Sequence, residues 1–316
     1  MRRGQGEIVT LTMNPAIDLS VVVDRVIADA KLRCRDVRRD PGGGGINVAR
    51  AVTRLGGEVR AIYPAGGSGG AMLTELLARE RVQAVCIEVA EPLRENLTAL
   101  EEETRRQFRF VMPGAALGAG EQQRLLERAL DPPPAFLVVS GSLPPGVAPA
   151  FVAGLAERAR EVGTKLILDT SGDALREGLA GRVYLVKPNR RELSQIAGRE
   201  LRGDHEIETI ARGILERGEA QVIVVSLGAA GVLVVTASMV LRIRSPDVPI
   251  RSRVGAGDCT VAGITLALAR GEALATAVRL GVAAGAAAVM TPGTELCRRE
   301  DAERLFQAMV HERADG

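Results

Sequence analysis

Four short, almost wholly apolar runs constrain this chain most: residues 136–140, 165–169, 183–186 and 221–226. Each is bounded by turn-forming residues. A strand with one wet face alternates apolar and polar side chains. A strand apolar on both sides must be covered on both faces, and parallel strands with crossover helices achieve this. Further strands read at 8–12 and 59–63, and helical stretches at 70–81, 149–162 and 207–217 separate the runs. Residues 231–236 and 239–243 read as a hairpin, and three helices, 257–270, 272–290 and 299–309, follow it. The expectation is a doubly wound α/β sheet flanked by helices, with ligands gathered at the carboxyl ends of its strands.

Two segments stand outside that alternation. Residues 18–39 place Val21, Val23, Leu32, Cys34 and Val37 on alternate positions, and 96–112 form two extended arms around a charged turn at 101–106. Together they predict a small antiparallel sheet, a lid within about 14–40 and 94–113 of a single domain spanning 1–316. Such a sheet has one apolar face to bury, over a site or against another subunit.

Composition removes several classes of function. The 316 residues are 46% hydrophobic and 25% charged, the balance of a soluble globular protein. Aromatics are 2% and Trp is absent, so the core is built from Ala, Val, Leu and Ile, and stacking platforms for single-stranded nucleic acid are not expected. With 41 basic and 39 acidic residues, the net charge of +2 does not suit a nucleic-acid binder. Cys34, Cys86, Cys259 and Cys297 are widely spaced with no CxxC, which reads as free thiols in a reducing compartment. His205 and His311 lie in charged, helix-like stretches as solvated side chains, leaving no His triad or His-rich metal site. Arg2 and Arg3 precede no apolar signal core, and the Ala-rich 273–290, with Arg279, Gly281 and Gly285, suits a buried helix better than a membrane span. A cytoplasmic protein without membrane contact is expected.

Five motifs could carry chemistry. Pro41 and the four glycines Gly42, Gly43, Gly44 and Gly45 lead into Ile46-Asn47-Val48-Ala49-Arg50. A side-chain-free turn feeding a helix N-terminus suits an anion or a hydroxyl, although a flexible loop would read the same. No acidic ribose partner follows at the dinucleotide offset. Gly255-Ala256-Gly257-Asp258 opens the next-to-last long apolar helix. Its amides could stabilise charge on a transferring phosphoryl group, with Asp258 as general base; alone, Asp258 reads as readily as a helix N-cap. Lys187-Pro188-Asn189-Arg190-Arg191-Glu192 follows a buried strand and suits nucleotide phosphates and Mg²⁺, or merely a solvated helix start. Ser140-Gly141-Ser142 and Ser226-Leu227-Gly228 also fall at strand ends, where turn chemistry alone would place similar residues.

In this order the motifs resemble the PfkB family of ribokinase-like carbohydrate kinases over almost the whole chain. Lys31-Leu32-Arg33-Cys34, the glycine run, 109–117 and 140–147 resemble the family's fructose 6-phosphate kinases. Asn14-Pro15-Ala16-Ile17-Asp18 is also similar to its 1-phosphofructokinases and tagatose-6-phosphate kinases, which often carry a lysine where this chain has Gly44. The resemblance implies a ribokinase-like fold with ATP, Mg²⁺ and K⁺ as nucleotide and ions, while the apolar outer face of the lid sheet predicts a homodimer through the lid. It implies Asp258 as base with Gly255, Ala256 and Gly257 as anion hole. Asp18, Gly42, Gly43 and Asn47 would hold sugar hydroxyls, and Lys31, Arg33, Arg94 and Ser142 the sugar phosphate. Lys187, Asn189, Ser226, Gly228, Val282 and Ala286 would line the ATP site, with Glu192 organising Mg²⁺. Carbonyls around Ser252, Val254, Ala288, Thr291 and Gly293 would hold the monovalent cation. Two positions depart from the family pattern. Arg253 would add a phosphate contact or crowd the nucleotide, and Cys259 would be a reactive thiol whose alkylation inactivates the protein. Nucleoside phosphorylation is disfavoured because it leaves Lys31, Arg33 and Arg94 without purpose. A catalytically silent sugar-phosphate sensor is disfavoured by an intact Asp258 and Glu192.

Overall fold

The computed structural model describes residues 6–311; Arg2, Arg3 and the His311 side chain lie outside the described residues. The chain opens with β1 (Ile8–Leu11), β2 (Ala16–Val23), β3 (Arg35–Gly42) and helix α1 (Gly44–Arg54). Next come β4 (Arg60–Ala65), α2 (Gly67–Arg79), β5 (Gln83–Glu88), β6 (Glu95–Glu101), β7 (Gln107–Phe110) and α3 (Ala119–Leu130). Alternating units follow, with two helices before the last strand: β8 (Phe136–Ser140), α4 (Ala150–Glu161), β9 (Lys165–Asp169), α5 (Gly172–Ala180), β10 (Val183–Val186), α6 (Arg190–Ala197), α7 (Gly203–Glu216) and β11 (Ala220–Ser226). The chain closes with β12 (Val232–Thr236), β13 (Val240–Ile243), α8 (Ala256–Ala269), α9 (Leu274–Val289) and α10 (Arg299–His311).

Nine strands form the central sheet in the order β13-β12-β11-β10-β9-β8-β1-β4-β5. The run from β11 to β5 is parallel, and β12 and β13 add an antiparallel hairpin at one edge. The apolar runs are explained by two cores, one under each face. Ile8 and Val138 face the core that holds α1, α2, α8, α9 and α10, while their neighbours Val9 and Leu137 face the core under α3 to α7. Strand order reverses between β8 and β1, and a crevice opens at such a switch point. The Ala-rich segment is the buried helix α9, and among the described residues no helix is long and apolar enough to cross a membrane. His205 is exposed on α7, as expected.

The lid is a separate four-stranded sheet in the order β3-β2-β6-β7. The expectation of an antiparallel sheet needs correction. Its two outer pairs are antiparallel, but β2 and β6 run parallel over Ile17–Val23 and Glu95–Glu101. Period-two patterning is identical in both arrangements, so alternation could not tell them apart. Val21, Val23 and Ala99 form a small core of their own, flanked by Leu19, Leu97 and Phe108. Beside it Val37, Phe110 and Val111 are 54%, 49% and 69% exposed.

Candidate active site

Strand β3 leaves the lid directly into the glycine run. A Cβ on Gly44 would come within 2.7 Å of the Gly141 amide nitrogen and lie against the Ser140 hydroxyl. Only glycine lets the start of α1 approach the end of β8 so closely. The Asp18 carboxylate lies across Gly42, where an added Cβ would stand 2.5 Å from it, and accepts a hydrogen bond from Asn96 Nδ2 at 2.9 Å. Asp18, Gly42, Gly43 and Asn47 are thus brought together. The hydroxyl of Thr12 and Oδ1 of Asn14 are buried beside them without a hydrogen-bond partner. Such orphaned groups are uncommon in a finished core.

Helix α8 begins at Gly255, which serves as N-cap with φ of 75°, a left-handed conformation that glycine adopts without strain. Asp258 is therefore three residues past the cap, in the first turn, and the N-cap reading does not apply. Amides of the first turn have no carbonyl within the helix to meet, so the Gly255–Gly257 end is open to an anion. Asp258 is partly buried, and Oδ2 accepts from Asn47 Nδ2 at 3.0 Å. Burial and the nearby Asp169 carboxylate push its carboxyl from 3.8 up to about 7, against the lowering pull of Asn47, Lys187 and Arg50.

Lys187 follows β10 and pairs with Asp169, the last residue of β9, at 3.0 Å. Burial opposes its charge, but Asp169, with help from Glu192 and Asp258, outweighs that and holds the ammonium above its ordinary value. A Cβ placed on Gly257 would lie 3.6 Å from Lys187 Nζ, so the ammonium stands against the open end of α8. Asn189 and Glu192 form a capping box on α6: Glu192 N–H donates to Asn189 Oδ1 at 2.9 Å and Asn189 N–H to Glu192 Oε2 at 2.8 Å. That box leaves one oxygen of Glu192 outside it. Asn189 also bridges to Ser226 at the end of β11, and Gly228 follows in the left-handed region. Val282 and Ala286 lie one turn apart on α9, each 5% exposed. Ser252 and Gly293 meet through a 2.7 Å hydrogen bond from the Ser252 hydroxyl, and Thr291 donates to the Ala288 carbonyl at 2.7 Å. The residues expected around a monovalent cation are thus one cluster, joining the segment before α8 to the end of α9. Its Thr294 donates to Asp40 of the lid at 2.6 Å.

Other expectations fare differently. Arg94 is clamped to the carbonyls of Asn14, Pro15 and Met112 at 2.9, 3.2 and 3.0 Å, leaving part of its guanidinium free; burial lowers its pKa, against Asp18. Ser142 is exposed and accepts from Asn14 Nδ2 at 3.1 Å. Lys31 and Arg33 lie exposed in the connection beyond the Val22–Arg35 end of the lid, away from the Asp18–Asp40 pair. Arg253 is exposed. Cys259 is fully buried against Cys297, whose N–H meets its sulfur at 3.4 Å, and burial pushes the thiol well up. The expectation of a reactive thiol is corrected: neither thiolate character nor access favours it. Sequence reasoning missed Asp169, Arg50 and Asn96. The signal for Asp169 was present, a carboxylate ending a buried strand.

A carboxyl with a raised pKa, an open helix N-terminus and a buried ammonium at the carboxyl edge of a parallel sheet suit phosphoryl transfer of the sugar-kinase kind. The chain belongs to the pfkB family of carbohydrate kinases, whose profile matches residues 8–301. It is 47% identical over 306 residues to the ATP-dependent 6-phosphofructokinase isozyme 2 of Mycobacterium tuberculosis, covering 96% of this chain and 90% of the relative. The Escherichia coli isozyme 2 is 43% identical over 301 residues, covering 95% and 97%. The crystal structure of Escherichia coli phosphofructokinase-2 in complex with potassium superposes with a TM-score of 0.93 at 42% identity, covering 96% of this chain and 99% of that one.

Proposed function

We propose that the protein transfers the γ-phosphoryl group of ATP to the 1-hydroxyl of fructose 6-phosphate, giving fructose 1,6-bisphosphate and ADP. The observation that carries this is the position of Asp258. Its carboxylate stands between the sugar-side cluster of Asp18, Gly43 and Asn47 and the phosphate-side cluster of Lys187 and the open end of α8. With a pKa of about 7, Asp258 accepts the hydroxyl proton as the oxygen bonds to the γ-phosphorus. The bond from that phosphorus to the β–γ bridging oxygen breaks, and ADP leaves with the electron pair. The first-turn amides and Lys187 hold the charge that spreads over the transferred group.

Among the described residues no group of three or more His, Cys, Asp or Glu could cage a metal ion. Mg²⁺ suits this site nonetheless, because it keeps most of its waters and needs only one or two carboxylates, here Glu192. When bound, Mg²⁺ neutralises phosphate oxygens. The carbonyls around Ser252, Ala288 and Gly293 suit K⁺, and the reducing setting implied by four unpaired thiols suits the cytoplasm.

Lys31 and Arg33 lie beyond Arg35, at least five residues of extended chain from Asp40, or about 15 Å. Within one chain this sets them well away from a sugar held at Asp18. Their role as phosphate ligands therefore calls for a second copy whose lid pairs with the first through Val37, Phe110 and Val111. A homodimer with shared sites is the reading that uses both features.

Coupled ADP release with Mg-ATP tests the reading against fructose 6-phosphate, fructose 1-phosphate, tagatose 6-phosphate, fructose and adenosine. A kcat/KM for fructose 6-phosphate at least ten-fold (on the order of 1.4 kcal/mol) above the others is expected. Preference for fructose 1-phosphate or tagatose 6-phosphate would support the alternative suggested by Asn14-Pro15-Ala16-Ile17-Asp18; a 1-phosphofructokinase of Xanthomonas campestris is 38% identical over 267 residues. No turnover on any sugar would sink the kinase reading.

A further inference from the structure

The geometry points to Arg50 as a positioning residue: anchored by Glu80, it fixes the amide of Asn47 so that one N–H is committed to Asp258. Arg50 lies one turn after Asn47 on α1 and is 1% exposed. Its Nε and Nη2 donate to Oε1 of Glu80 at 2.9 and 2.6 Å. Its Nη1 donates to the Pro41 carbonyl at 2.9 Å and to Asn47 Oδ1 at 3.2 Å. Glu80, just past the end of α2, is shared with Arg54 at 3.2 Å, and both arginines overcome burial to keep its carboxylate charged.

A guanidinium can only donate. The Asn47 atom that meets it must therefore be the carbonyl oxygen, which turns the amide nitrogen to Asp258 Oδ2 at 3.0 Å. One N–H is spent on the base and the second stays free for a sugar hydroxyl. Without Arg50 the amide is free to turn over, and its oxygen would then face the carboxylate and repel it. Burying a guanidinium is costly, and an apolar side chain would fill the same space more cheaply. A charge placed behind the amide of the site is explained by what it orients.

The groups facing Asp258 are Asp169 at the end of β9, Lys187 past β10, Asn47 and Arg50 on α1, and the neighbouring Cys259 on α8, which packs on Cys297. Asp169 raises the carboxyl; Asn47, Lys187 and Arg50 lower it. Loss of Arg50 removes one lowering charge directly and weakens the Asn47 bond as well, so both effects move the base upward.

This inference rests on Asp258 as the base. The test is the pH profile of kcat/KM for fructose 6-phosphate in Arg50→Met, Arg50→Lys and the double variant Arg50→Met/Glu80→Met, with melting curves for each. Expected is an acidic limb displaced upward by about one pH unit in both Met variants, by less in Arg50→Lys, and an unchanged KM for ATP. A folded Met variant whose limb coincides with that of the parent overturns the proposal, even if kcat falls uniformly. Should neither Met variant fold, Arg50→Lys decides: it keeps a charge but cannot hold Glu80 and Asn47 together, and a parental limb there refutes the role. Asp258→Asn separates the two ideas, since substantial turnover in it would remove the base itself and not only the residue behind it.

Discussion

Replacing Asp258 by Asn should kill turnover and stabilise the fold, and the stability gain should depend on pH. The distance from 3.8 to about 7 means that ionising Asp258 costs about 4 kcal/mol more in the folded chain than in the unfolded one. Water reaching the partly buried carboxylate trims this to about 2 kcal/mol. Between about pH 4 and pH 7 the folded chain keeps a proton that the unfolded chain has lost. The parent therefore loses stability as pH rises through that window, while the isosteric amide, still able to accept from Asn47, does not. Calorimetry should find the variant melting higher by about 3 °C at pH 8, the gap closing toward pH 4. Coupled ADP release should fall by about 10³-fold while nucleotide binding survives. Turnover above a tenth of the parent's, or a melting gap equal at pH 4.5 and pH 8, would refute the account of a buried, raised base.

Three further outcomes follow from packing. Gly44→Ala forces the glycine run off Ser140 and Gly141, so a loss of about 1–3 kcal/mol in stability and a raised KM for fructose 6-phosphate are expected; unchanged melting and KM would contradict the close approach. Phe110→Glu with Val37→Glu puts charge on the exposed lid face, and light scattering should then find half the parental mass with weakened sugar binding; an unchanged mass would rule out lid pairing. Brief iodoacetamide treatment of the native protein should label exposed Cys34 first and Cys86 more slowly, since burial raises its thiol, and spare Cys259 and Cys297 with activity retained, whereas activity lost in step with Cys259 labelling would contradict its burial.

The central sheet was legible because continuous apolar runs admit few other solutions, and the ends of β8, β10 and β11 carry the three motifs expected there. Other features depended on contacts distant in the chain. The two lid hairpins are local and readable, but their joining through parallel β2 and β6 is not encoded in alternation. Asn47 reads as a sugar ligand from its motif, yet its partners are Asp258, 211 residues away, and Arg50. Asn189 and Glu192 carry the spacing of a capping box, and the same residues also suit a nucleotide site. The Cys259 expectation failed because position in a first turn says nothing about which way a side chain faces; here it faces the core.

The lid is inserted into the core twice, entering at Ala16 and Glu95 and leaving after Gly42 and Phe110. Each excursion leaves after a strand of the central sheet and returns into a core helix, α1 or α3, so its tip can be lengthened or recharged with no change in the path of the chain through the core. Residues 24–34 are such a tip, and Asp258 is anchored elsewhere, at the start of α8. The role proposed for Lys31 and Arg33 would make the preference for one phosphorylated sugar a graftable cassette: exchanging the 24–34 segment between relatives should carry substrate choice with it while the phosphoryl-transfer apparatus stays in place.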